Sequence, residues 1–152
     1  IDLGLNYRMT DIAASLGVSQ FGRINSFIKM RHKIAKRYDE ALKSLPVITP
    51  FQSKNTYSSY HLYPIRISLG VSGISQREFY DKMRNLGIDI NLHYIPVYRQ
   101  PFYERLGFVK GYCPEAEKFH KEVISIPMFA RLKENDQEYV IDTISKIVKG
   151  KE

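Results

Sequence analysis

The stretch TDIAASLGVSQFGRI, residues 10–24, has the residue types and spacing of a DNA reader: an apolar helix, a Leu-Gly-Val-Ser turn, and a second helix that turns basic. A helix-turn-helix packs two short helices at a steep angle through apolar residues on both. Counted from Gly17, the second helix must supply apolar side chains at positions 23 and 26. Those places hold Arg23 and Ser26, while Ile24, Phe27 and Ile28 stand out of step. A recognition helix in this phase would bury an arginine and expose isoleucine. DNA binding is therefore the minor alternative, and its mark would be burial of Arg23 and Ser26 between the helices.

Other side chains with chemical potential have plainer readings. Cys113 is the one cysteine, so no disulfide or cysteine zinc site forms within the chain. No matching base accompanies it, and it reads as a helix-start residue, not a nucleophile. His61 lies between apolar neighbours in a strand-like run and reads as a core or edge histidine. His32 and His120 lie in charged helices and read as exposed. Tyr57, Tyr60, Tyr63, Tyr98 and Tyr103 read as packing residues. From spacing alone, Asn6 satisfies a turn before a helix and Arg8 is a solvated charge. His93 divides evenly between a structural and a binding role. No metal site is expected.

The chain has 152 residues, 43% of them apolar, which suits one compact core. Its 23 Lys and Arg against 16 Asp and Glu give a net charge of +7. That charge favours anionic partners, or describes no more than a solvated surface. No long uncharged apolar run exists to span a membrane, and no basic-then-apolar leader is visible. The opening Ile-Asp-Leu-Gly reads as the start of a piece cut from a longer protein, though processing would give the same start. Sparse cysteine points to the cytoplasm.

The elements follow from periodicity. Thr10 caps a first helix. Ile24, Phe27, Ile28, Ile34, Ala35, Tyr38, Ala41, Leu42 and Leu45 form the stripe of a second, which Pro46 and Pro50 end. YHLYPIRIS (60–68) reads as a strand, at an edge because Pro64 has no N–H. Ser75 and Glu78 form a capping box for a helix that Gly87 stops. IDINLHY (88–94) alternates as a second strand. Residues 95–108 read as loop with at most a short helix. Pro114 opens a helix over 114–122, VISIP (123–127) is a third strand, and residues 134–150 form a last amphipathic helix. Asn135 and Glu138 mark its start, and Tyr139, Val140, Ile144, Ile147 and Val148 its buried stripe. This order predicts an α+β layer, a short sheet with helices packed against it.

The flanks of the opening stretch change its meaning. GLNYRMTDIAASLGVSQFGRINSFIKMRHKIAKRYDEAL (4–42) resembles a signature of the sugar-nucleotide aminotransferases, the DegT/DnrJ/EryC1/StrS type of pyridoxal-phosphate (PLP) enzyme with fold type I. The matching residues are Asn6, Tyr7, Arg8, Met9, Thr10 and Asp11, then Leu16, Gly17, Ser19 and Gln20, then Ile34, Ala35, Arg37 and Tyr38. SSYHLYPIRI (58–67), INLHYIPVYRQPFY (90–103), AEKFHKEVISIPMF (116–129) and DQEYVID (136–142) are similar to later family segments in the same order. One departure is Tyr98, which stands where many relatives carry a second histidine.

The resemblance implies the C-terminal part of such an enzyme. Residues 1–46 would be a dimer-facing helical segment leading from a large PLP domain, and 47–152 a small C-terminal domain with a mainly antiparallel sheet. The lysine that holds PLP and the aspartate that pairs with its ring nitrogen would lie upstream, so no catalytic residue is nominated here and this chain alone should be inactive. Asn6 corresponds to a residue that reaches the PLP phosphate of the neighbouring subunit. Arg8 corresponds to a position near the substrate diphosphate, where a guanidinium forks onto phosphate oxygens. His93 corresponds to a histidine near the same group, with Tyr94 shaping the wall beside it. The implied whole is a cytoplasmic homodimer moving an amino group from glutamate to a 4-keto-6-deoxy sugar nucleotide. YHLYPI and PVYRQPFYERLGF look most like the branch acting on UDP-linked N-acetylhexosamines for pseudaminic-acid-type sugars. A non-catalytic dimerisation domain is the remaining alternative. Without a large domain an apolar face should be exposed.

Overall fold

A computed structural model of the chain describes residues 8–150. Helix α1 (Asp11–Phe21) opens at Thr10, whose hydroxyl accepts from the Ala13 N–H at 3.3 Å. After a break at Gly22 and Arg23 comes α2 (Ile24–Leu42). The sheet consists of β1 (Tyr63–Arg66), β2 (Asn91–Leu92) and β3 (Val123–Ile126), in the order β1-β3-β2 with both pairings antiparallel. Helices α3 (Leu69–Ser72), α4 (Gln76–Asn85), α5 (Pro101–Arg105), α6 (Pro114–Glu122) and α7 (Glu134–Lys149) complete the layer, with a 3-10 turn at Val97–Arg99. This is the α+β architecture that the pattern predicts.

The core explains the arrangement. Ile34, Ala35, Tyr38 and Leu42 of α2 meet Ile65 and Ile67, Phe79 and Met83 of α4, Ile124 of β3 and Ile144 of α7 in one buried cluster. Only the second half of α2 takes part. Ile24 is 40% exposed and Phe27 and Ile28 are half-buried, so the apolar stripe reaches the core only from Ile34 onward. Helix α1 buries none of its residues, and Ile12, Leu16, Val18 and Phe21 are exposed.

Pro64 lies in edge strand β1, and the reason is visible two residues on. The Arg66 N–H points away from β3 and donates to the Ile48 carbonyl at 2.9 Å. Strand parity aims position 64 the same way, so the missing N–H removes no bond from the ladder. The capping box also forms: the Glu78 N–H donates to Ser75 Oγ, and the Ser75 N–H donates to Glu78 Oε2 at 2.9 Å. Gly87, at φ 76°, ends the helix in the left-handed region that favours glycine.

Several expectations need correction. The strand expected over 88–94 pairs only at Asn91 and Leu92. Ile88 and Ile90 are buried, but Leu92 is 42% exposed and the chain then leaves the sheet. Helix α7 has Lys133 at its N-cap with no side-chain cap, so Asn135 is not the cap, and Glu138 pairs instead with Arg37 of α2. Tyr139 is 51% exposed and donates its hydroxyl to the Leu86 carbonyl at 3.0 Å, while Ile141 takes a buried place. His61 is exposed, and His32 is half-buried, stacked on Tyr57 with ring centroids 4.4 Å apart. His120 is also half-buried. These misses share a cause: periodicity finds a face but not what lies opposite it.

Long-range polar ties hold α2 to the sheet layer. Arg31 Nη1 donates to the carbonyls of Tyr60, His61 and Met128 at 2.8, 2.9 and 3.0 Å. Tyr38 donates its hydroxyl to the Pro127 carbonyl at 3.0 Å, and the buried Gln137 amide donates to the Ile34 carbonyl at 2.9 Å. The Arg31 clamp grips the segment where Tyr60 takes a left-handed φ of 47°, a conformation costly for a bulky residue unless its surroundings impose it.

In the full-length protein, Ile144→Ala should cost about 2–5 kcal/mol, as an inaccessible core isoleucine. Ser75→Ala should cost about 1 kcal/mol through loss of the cap. Denaturant unfolding of the two variants beside the parent checks the ranking, and a cap variant weaker than the core variant would contradict it.

Candidate functional site

His93 follows β2 directly, and its Nε2 lies 2.6 Å from Ser125 Oγ on β3. The contact is possible because Asn91 registers with Ser125 across the β2–β3 pair, and residue 93 shares the parity of 91. Burial lowers the His93 pKa below its ordinary 6.5, so the imidazole stays neutral at neutral pH. A depressed histidine pKa has a definite sign. Its contribution to stability is complete above the ordinary value and is lost as pH falls from there through the folded value. Tyr94, next in the chain, is 91% exposed and turned to solvent. Arg8 is exposed ahead of α1. Asn6 lies outside the described residues. The fold therefore seats His93 in the sheet layer and leaves Tyr94 and Arg8 on the surface.

The loop after Tyr94 is tied down by a network that sequence reading missed. Tyr98 donates its hydroxyl to Glu117 Oε1 at 2.6 Å, and the Gly111 N–H donates to the same oxygen at 2.7 Å. Arg99 lies 3.7 Å from that oxygen and also pairs with Glu104 at 3.0 Å. One carboxylate on α6 thus collects the start and the end of the 98–111 segment. The Tyr98 hydroxyl bond, then the Gly111 N–H, hold the Glu117 pKa below its ordinary 4.5, with Arg99 and Lys110 adding charge attraction. Ser125 had no signal of its own in the sequence. It sits in an apolar strand as the one residue able to hydrogen-bond through its side chain.

A cavity of about 560 Å³ opens beside this region, walled by Ile88, Met128, Leu132 and Val140, with Asn91 and Ser125 also in its lining. Its charged groups are the carboxylates of Asp136 and of Asp89, the latter paired with Arg84. Such a lining suits an apolar group. Among the described residues, no group of three or more His, Cys, Asp or Glu is placed to hold a metal ion. No described helix is long and apolar enough to cross a membrane.

The DNA-binding alternative fails its own test. Arg23 and Ser26 are both exposed, and Arg23 lies over the Phe27 ring at 5.6 Å in place of filling an interhelical contact.

The arrangement of a short antiparallel sheet backed by helices and fed by a long helix recurs in solved aminotransferases. A Streptococcus pneumoniae protein described as a sugar aminotransferase, solved in its PLP form, matches with a TM-score of 0.84 and 30% identity over 95% of this chain and 37% of its own. Helicobacter pylori PseC, an aminotransferase involved in the biosynthesis of pseudoaminic acid, matches with a TM-score of 0.85 and 25% identity, over 99% of this chain and 40% of its own. Among curated relatives, the UDP-4-amino-4,6-dideoxy-N-acetyl-beta-L-altrosamine transaminase of Campylobacter jejuni is 31% identical over 150 residues, 97% of this chain. The family model for the DegT/DnrJ/EryC1/StrS aminotransferase family matches residues 1–145, and the chain belongs to that family. It spans about 39% of the length of the curated relatives it matches.

The Glu117 tie should be sensitive to acid. With the folded pKa depressed, its contribution is complete above about pH 4.5 and is lost as pH falls through the lower folded value. The protection of the Gly111 amide against hydrogen exchange should drop in that acid window, and Glu117→Gln should flatten the profile. A Gly111 amide equally protected well below the carboxyl range would show that the carboxylate is not the tie.

Proposed function

We propose that this chain is the C-terminal part of a PLP-dependent sugar-nucleotide aminotransferase. The whole protein would move an amino group from glutamate to a 4-keto-6-deoxy sugar nucleotide by way of PLP. The observation that carries the reading is the family match over residues 1–145. The site geometry supports it, since a neutral histidine at the sheet edge with an exposed tyrosine beside it suits recognition of a polar ligand.

The apolar cavity walled by Ile88, Met128, Leu132 and Val140 carries carboxylates, the wrong sign for the cofactor's phosphate, whereas a second cavity is lined by Arg23, Arg31 and Arg131. In this reading the cradle belongs to the rest of the protein, and the chain is inactive alone. Asn6 would donate its amide to the PLP phosphate of a neighbouring subunit, making the working unit a homodimer. Arg8 would fork onto the diphosphate of the sugar nucleotide. His93 would hydrogen-bond near the same group, and Tyr94 would wall the pocket. The exposed apolar residues of α1, Ile12 and Leu16 among them, support a segment that is covered in the assembled enzyme, here taken as cytoplasmic. For the substrate branch we favour UDP-linked N-acetylhexosamines. The names of the Campylobacter and Helicobacter relatives support that choice.

The test is an absorbance spectrum of the full-length protein, with the upstream coding region restored. Added PLP should give a visible band, and glutamate should bleach it. A folded protein that gives no band would end the aminotransferase reading. A stable dimer indifferent to PLP and nucleotide sugar would leave the dimerisation-domain reading in its place.

A further inference from the structure

We infer that Ser125 is a positioning residue for His93: its hydroxyl donates to Nε2, so that the ring presents Nδ1–H as the hydrogen-bond donor toward a bound nucleotide sugar. The substrate half of this inference rests on the function proposed above.

Ser125 is 4% exposed on the central strand. Among the described residues its hydroxyl has one hydrogen-bond partner, His93 Nε2 at 2.6 Å. Two assignments of the shared proton are possible. If Nε2 were the donor, the hydroxyl hydrogen of this nearly inaccessible serine would have no acceptor among the described residues, which costs free energy. If the hydroxyl is the donor, its hydrogen is used and Nε2 accepts through its lone pair. An imidazole that accepts at Nε2 is neutral and carries its hydrogen at Nδ1. Burial of the ring favours the same neutral form. Nδ1 makes no bond among the described residues and is not a buried, unsatisfied atom, so it remains reachable. The ring is thus held at one nitrogen and open at the other. Free histidine favours the opposite, Nε2–H form, so the serine leaves a signature that mere packing would not.

The tautomer can be read in the full-length protein by long-range proton–nitrogen correlation spectra of labelled histidine, with His93 assigned by its loss in His93→Asn. The parent should show His93 as Nδ1–H. Ser125→Ala should move it toward Nε2–H, and Ser125→Thr, which keeps the hydroxyl, should restore it. With a UDP-linked 4-keto-6-deoxy-N-acetylhexosamine as substrate, Ser125→Ala should raise KM about five- to tenfold and leave kcat within about twofold, as loss of one oriented hydrogen bond predicts. His93→Asn, whose amide nitrogen overlies Nδ1, should keep a lower KM than His93→Gln, whose nitrogen overlies Nε2. An Nε2–H ring in the parent, or a tautomer unmoved in Ser125→Ala, would overturn the inference. A moved tautomer with an unmoved KM would overturn its substrate half. The spectra need neither cofactor nor sugar, so a protein that never takes up PLP ends the functional reading without deciding the tautomer, and the two failures stay distinct.

Discussion

Strand β3 has no side in water. Val123, Ile124, Ser125 and Ile126 are each exposed by 4% or less, with β1 on one edge and β2 on the other. A strand enclosed in this way must be apolar, or must find a partner for every polar group it carries. Val123, Ile124 and Ile126 meet the first condition, each contributing on the order of 1.5–3 kcal/mol through burial. Ser125 meets the second through His93. The candidate site is therefore not laid on top of the core. One of its side chains satisfies a polar group within the core.

The same constraint organises the neighbours. Strand β2 needs only two residues to cover its side of β3, and that brevity releases His93 and the following loop to project from the sheet edge. Strand β1 has its outer edge bridged only at Arg66, by Ile48, and tolerates Pro64 on that side. Long helix α2 is joined to the layer by Tyr38, Arg31 and Gln137. All three bond to or from backbone groups, so the attachment depends on main-chain geometry more than on side-chain charge. The exposed ion pairs along α2 and α7, such as Lys33 with Glu134, add little by comparison.

Helix α1 stands apart from this scheme. It is capped and regular, yet it contributes nothing to the core. Its apolar residues face outward, and the family to which the chain belongs is built of proteins more than twice as long as this segment. Thr10 caps the helix and Ala13, Ala14 and Leu16 favour it locally.

Sequence alone determined what is local or periodic. Thr10, the Ser75–Glu78 box, Gly87 and Pro114 mark helix ends because capping and φ preferences act over three or four residues. The ordered family segments carry the architecture, and the phase of Arg23 and Ser26 already argued against DNA binding. What lay beyond sequence was everything that depends on a partner distant in the chain. The Ser125–His93 contact spans 32 residues, the Tyr98–Glu117 bond 19 and the Arg31 clamp as many as 97. A buried serine in an apolar run, a tyrosine in a loop and an arginine on a polar helix face carry no mark of such roles. Their partners come within reach only when the sheet closes, so tertiary structure alone decided which polar residues are held and which stay open to a ligand.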